Sequence, residues 1–303
     1  MNLWNALGRF SVPIFLMCSG VLFLNKKELT YNDILKKYIS RLLIAFIFWN
    51  CIYALYNANF NLYNSFNIIK KNIASIHLWF IILIVGIYLI MPSIRIFVNY
   101  STKKDIRNLL IALFVIQSVI PFLGCFKIFS CMKTYYGYLY TNDFIGYVGI
   151  FIYGYYLDKY EEDISRKKKI LLYFLGIILI ISTVILNLLE TDKLSKISTP
   201  FLKFLYPNII IYTTAIFIAV KDICKKIKMN KNAESIIAKI AQLIFGVYLV
   251  HMLVLKILSN FGINVSICNT FISIPIISLV IFLISLVIVF IISKIPILRK
   301  VIL

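Results

Sequence analysis

Histidine is nearly absent from this chain, with two in 303 residues, and carboxylates are few, twelve Asp and Glu against 32 Lys and Arg. Scattered in this way, mostly between apolar stretches, they offer no ligand spacing for a metal. The six cysteines, Cys18, Cys51, Cys125, Cys131, Cys224 and Cys268, form no CxxC and no Cys/His pattern, which leaves out zinc and dithiol redox motifs. Cys125 and Cys131 share one predicted loop and could pair; most of the others fall in apolar segments, where a thiol acts as a small hydrophobe. No basic region precedes the first apolar stretch, so a cleaved signal peptide is a poor reading. No Ser/His/acid set, internal repeat or domain-length linker is visible.

What the chain has instead is apolar mass. Hydrophobic residues make up 61% of it, well above the share in soluble domains, and this places it among membrane proteins. A spanning helix needs about 20 mostly apolar residues. Nine windows meet or approach that length: 10–24, 39–56, 78–98, 106–124, 144–157, 170–189, 205–220, 236–258 and 271–292, the first and fifth being short. The net charge of +20 lies in clusters between these windows, the pattern of membrane loops rather than of a nucleic-acid-binding face.

The basic residues also orient the bundle. Alternate loops hold 23 of the 32 Lys and Arg, among them Lys26, Lys27, Lys36, Lys37, Arg41, Lys103, Arg166 to Lys169, the Lys221 to Lys239 group and Lys300. Cytoplasmic loops carry such an excess, so the predicted N-terminus is outside and the C-terminus cytoplasmic. The fold class expected is all-α, a polytopic transmembrane bundle of about nine spans in one membrane domain over 1–303. An odd count with an external start predicts one further helix ahead of Met1.

Four stretches resemble the acyltransferase 3 family of integral membrane acyltransferases. They are RFSVPIFLMCSG (9–20), HLWFIILIVGIYLIMP (77–92), YVGIFIYGYYLDK (147–159) and FGVYLVHMLVL (245–255). The resemblance implies ten helices and transfer of an acyl group, commonly acetyl, from acyl-CoA on the cytoplasmic side. The acceptor it implies is a hydroxyl of a cell-surface polysaccharide or lipid-linked glycan, which points to the cell membrane as location. It also implies that the family's catalytic first-helix histidine lies ahead of Met1, with the chain given being N-terminally truncated and its activity depending on that helix. In KKYISRLL (36–43), Arg41 matches the second Arg of a family pair and Tyr38 stands at the first.

Acyl transfer to a hydroxyl needs a base, donors for the oxyanion, and cations for the CoA phosphates. Histidine suits the first task, which makes His77 and His251 the catalytic candidates. His77 reads equally as an interfacial aromatic-belt residue, and His251 as a neutral histidine bonded to a neighbouring helix. Donor binding falls to Arg41, Lys37 and Tyr38, although the lysines also serve as positive-inside anchors. Acceptor binding falls to Trp79, as a stacking face, and to Arg9, which could pair with a carboxylate or phosphate or snorkel to headgroups. Ser19-Gly20 reads as a close-packing site between helices. Asn50, Gln117 and Gln242 either line a cavity or tie helices together.

No bound cofactor and no metal are expected, acyl-CoA being a co-substrate, and the other partner is the lipid bilayer. Two other functions compete: a catalytically inactive truncated relative, and a carrier or flippase for a glycan or lipid. The paired half-repeats expected of a carrier are missing.

Overall fold

The computed structural model describes residues 2–26, 29–161, 164–195, 197–227 and 229–299. Among them are helices and no strand. Eight helices are long and apolar enough to cross a bilayer: Asn2–Leu24, Tyr31–Asn57, Ile76–Tyr100, Lys103–Leu123, Arg166–Leu194, Pro207–Lys226, Lys231–Asn260 and Thr270–Ser293. Helices are the solution an apolar solvent imposes, because every backbone donor and acceptor is then satisfied within its own segment.

The ninth predicted window, 144–157, falls on helix Asp143–Tyr160, which at 18 residues carries Asp143, Asp158 and Lys159 and is less apolar than the others. Ten of its residues are buried. The first window also changes. Its apolar stretch starts earlier than residue 10, with a short helix Asn2–Gly8, a turn at Arg9 and Phe10, and then helix Ser11–Leu24. The span is therefore 23 residues long, and Arg9 sits at the break inside it rather than at its outer lip.

The chain divides into two compact units. The first comprises residues 1–28 and 93–227, the second 29–92 and 228–303. In the first, helices Ser11–Leu24 and Asp143–Tyr160 approach so closely that side chains are excluded at two glycines. A Cβ on Gly20 would lie 1.8 Å from the Phe151 carbonyl oxygen, and one on Gly154 2.2 Å from that of Met17. Tyr206, Ile209 and Tyr212 form a buried cluster in this unit, capped by Phe10 and Phe122. The Tyr212 hydroxyl donates to the Ala6 carbonyl at 2.6 Å, which anchors the short Asn2–Gly8 helix.

Ion pairs join helix ends of the same unit: Lys221 with Asp158 at 2.7 Å, Lys169 with Asp222 at 2.7 Å, and Lys103 with Glu161 at 2.9 Å. Lys221 thus has a structural partner besides its part in the loop charge. Lys27, Lys228 and Lys300, which also count toward that charge, lie outside the described residues.

The second unit is built on helices Tyr31–Asn57, Lys231–Asn260 and Thr270–Ser293 with the start of Ile76–Tyr100. Trp49, Tyr53, Leu78, Ile81, Leu249, Val250 and Val289 make its core. The all-round apolar face of Thr270–Ser293, with few buried residues among its 24, suits a helix whose outer surface meets lipid.

Candidate functional site

In the second unit, the two histidines come together. The His77 and His251 rings have centroids 5.1 Å apart in an edge-on arrangement. Two tyrosines complete the cluster, with Tyr53 and Tyr248 ring centroids 5.1 Å and 5.4 Å from that of His77. Ionisable groups are rare among apolar helices, which makes this pair the candidate site.

His77 is positioned by its approach segment. Asn50 and Asn57 lie two turns apart on one face of helix Ser40–Asn57 and grip a single residue, Ala74. Asn50 Oδ1 accepts the Ala74 N–H at 2.8 Å, and Asn57 Nδ2 donates to the Ala74 carbonyl at 2.7 Å. Two residues on, the chain enters the one-turn helix Ile76–Leu78 that carries His77. There Ser75 Oγ lies 3.0 Å from His77 Nδ1, and the Tyr248 hydroxyl donates to the His77 carbonyl.

Replacing Asn50 with Leu strands the buried Ala74 N–H, at a cost of about 1–3 kcal/mol, and frees the His77 segment. Thermal unfolding of the purified variant checks the first effect, and faster amide exchange confined to 74–78 checks the second.

His251 sits inside helix Lys231–Asn260, where its Nδ1 lies 2.6 Å from the Tyr248 carbonyl oxygen. A carbonyl only accepts, so Nδ1 carries the proton and Nε2 is the basic nitrogen. The helix is modified at this level. The Tyr53 hydroxyl donates to the Leu249 carbonyl at 2.7 Å and accepts from the Leu253 N–H at 3.1 Å. It thereby occupies the position between the two partners of an ordinary i to i+4 bond, and His251 lies midway along that stretch. Lys256 Nζ donates to Asn57 Oδ1 at 2.6 Å and lies 5.7 Å from the Tyr53 ring centroid, which brings a cation to the same cluster.

The remaining sequence candidates of this unit divide. Trp79 is half-buried two residues from His77 and connects through Phe80 to Tyr248, with successive ring centroids at 5.8 and 6.2 Å. Arg41, Lys37 and Tyr38 lie toward the opposite end of the Tyr31–Asn57 span. Arg41 is twelve residues from Tyr53, about 18 Å along the helix. Lys37 pairs with Asp33 at 2.7 Å, Tyr38 meets the Tyr88 ring edge-on at 6.3 Å, and Arg41 is exposed. Asn50 ties two segments, while Gln242 is exposed on its helix.

Arg9 belongs to the first unit. Its guanidinium lies 4.9 Å over the Phe204 ring, and it lines a cavity with Gln117, Tyr136, Asp143, Tyr147 and Lys203. Burial raises the Tyr136 and Tyr206 phenols above their ordinary value, so both remain neutral groups with a proton to donate. Cys125 contacts the Tyr206 hydroxyl at 3.2 Å, and all six cysteines are free. Among the described residues, no three His, Cys, Asp or Glu side chains gather where a metal could be held.

Tyr53, Ser75, Asn57 and Lys256 escape a reading of the sequence, since each is an ordinary residue until the helices pack. Tyr248 carries a local signal: three residues before His251, it shares its helix face.

These features define a multi-pass helical membrane protein with an ionisable cluster held inside one of its units. The chain belongs to the acyltransferase 3 family, the family model for this acyltransferase domain matching residues 1–294. No curated protein and no solved structure matches it.

Proposed function

We propose that this membrane acyltransferase moves an acetyl or other acyl group from acyl-CoA to a hydroxyl of a cell-surface polysaccharide or lipid-linked glycan, at the cell membrane. The observation that supports this chemistry is the pairing of the only two histidines in the chain, 5.1 Å apart between ring centroids. His251 Nε2 takes the proton of the acceptor hydroxyl as its oxygen attacks the thioester carbonyl carbon. The C–S bond then breaks, the ester forms, and the imidazolium returns the proton to the leaving CoA thiolate. His77 shares the cluster as an orienting group, and Trp79 offers the acceptor sugar a stacking face. Arg41, with Lys37 and Tyr38, receives the donor phosphates at the far end of the span, so the thioester arm bridges the distance between them.

The test is transfer of label. The chain in membrane vesicles, given acetyl-CoA labelled in the acetyl group, is expected to place label on envelope carbohydrate as a base-labile ester. Label that stays on CoA, with the protein shown to be folded, overturns the reading in favour of an inactive relative or a carrier.

A further inference from the structure

Two cavities of the first unit meet at one buried side chain. The first is an apolar groove of about 260 Å³ walled by Leu110, Phe114, Ile150 and Ile210. Arg107 and Gln117 both line it. Those two are ten residues apart, about 15 Å along a helix and about one leaflet of a bilayer. Glycines let its walls approach closely: a Cβ on Gly149 would meet Leu113 at 3.2 Å, and one on Gly146 would meet Leu205 at 2.8 Å and Gln117 at 3.1 Å.

The second cavity, of about 310 Å³, is the more polar of the two, and Gln117 lines it as well. Its lining includes two cations, Arg9 and Lys203, and one carboxylate, Asp143.

Gln117 is 2% exposed and lies in a π-helical turn, Val115–Val119, a distortion common at functional sites. Its Oε1 accepts from the Tyr136 hydroxyl at 2.9 Å, while its Nε2 is buried with no partner. Arg9 Nε is likewise buried and unpartnered. Two unsatisfied donors, one of them cationic, are costly unless a ligand supplies acceptor oxygens and negative charge.

We propose that groove and polar cavity together bind a lipid phosphate. The hydrocarbon chain lies along the Leu110–Phe114 wall, the phosphate is held by Arg9 and Lys203, and an oxygen next to it accepts from Gln117 Nε2. The inference goes beyond the proposed function and does not rest on it: the ligand is a lipid phosphate, whatever hydroxyl the acyl group reaches.

Binding tests it without any acyl donor. The full chain in nanodiscs of zwitterionic lipid is titrated with farnesyl phosphate, farnesol and inorganic phosphate. Farnesyl phosphate is expected to saturate the protein, farnesol to bind at least about tenfold more weakly, and inorganic phosphate not to saturate. Arg9→Gln should weaken farnesyl phosphate about tenfold and leave farnesol unchanged. Ile111→Trp, at a groove-lining position 54% exposed, should narrow the groove and weaken both lipids, with an unfolding midpoint equal to that of the unchanged chain showing that it is intact.

Equal binding by inorganic phosphate, or lipid affinity untouched by both substitutions, overturns the proposal. Displacement of farnesyl phosphate by an equal concentration of phosphatidic acid supports the site and identifies a bilayer phospholipid as the source of the phosphate. Saturable binding in a protein that transfers no acyl group leaves this site standing and defeats only the acyltransfer reading.

Discussion

His251→Ala is expected to lower acyl transfer by about 10²- to 10⁴-fold, the usual contribution of a positioned general base. The physical reason lies in how the imidazole is held. Its Nδ1–H is committed to the Tyr248 carbonyl at 2.6 Å, which fixes both tautomer and ring orientation and presents Nε2 as the acceptor of a proton. Alanine removes that nitrogen and is a better helix former, so the helix itself persists. His77→Gln is expected to cost less in kcat and more in KM, because its role is orientation within the cluster. Steady-state rates with labelled acetyl-CoA separate the two variants, alongside an unfolding midpoint showing each is intact. A His251→Ala enzyme retaining a third or more of its rate would remove this residue from the mechanism.

The largest structural effect is expected at the Gly20–Gly154 crossing. Gly154→Ala puts a methyl 2.2 Å from the Met17 carbonyl oxygen and 2.4 Å from its Cα, and Gly20→Ala puts one 1.8 Å from the Phe151 oxygen. Overpacking against movable side chains costs about 1–3 kcal/mol. Here the obstacle is backbone on both sides, so the helices must separate, and the loss should reach about 3 kcal/mol or more. Without a hydrophobic drive between helices in lipid, close van der Waals approach is much of what holds such a pair. Thermal unfolding in detergent measures it, with two internal comparisons. Gly176→Ala approaches the Ala215 Cβ at 3.3 Å and should cost little, and Gly137→Ala meets nothing within 4 Å and should be neutral or slightly stabilising. A midpoint for Gly154→Ala equal to that of Gly137→Ala would disprove the crossing.

Much of the architecture is legible in the residues. Apolar runs place the spanning helices because length and hydropathy are one-dimensional quantities, and eight of the nine windows coincide with helices apolar enough to cross. Ser19-Gly20 announces a tight contact, since small residues mark helix interfaces; the helix it meets, with Phe151 against Gly20 and Gly154 against Met17, carries charges that make it look marginal from hydropathy alone. Arg9 reads as a snorkelling residue at a helix start. It belongs instead at a turn within a longer span, because Leu3, Trp4, Ala6 and Leu7 extend the apolar stretch upstream.

The histidines show where a one-dimensional reading stops. Each stands out singly, as an ionisable residue at an apolar helix end or interior, and each admits a purely structural role. Their ring contact depends on the packing of helices distant in sequence, on two asparagines gripping Ala74, and on a tyrosine set into the helix beside His251. The same holds for Gln117, a lone polar residue in sequence and the meeting point of two cavities in space.

By itself, then, the sequence determined that this is an all-helical membrane protein, roughly where its helices run, and its family resemblance, because these follow from composition, window length and short motifs. Only the tertiary structure decided which polar residues share a site. Side chains far apart along the chain become neighbours through helix packing, and hydropathy carries no record of which helix faces which.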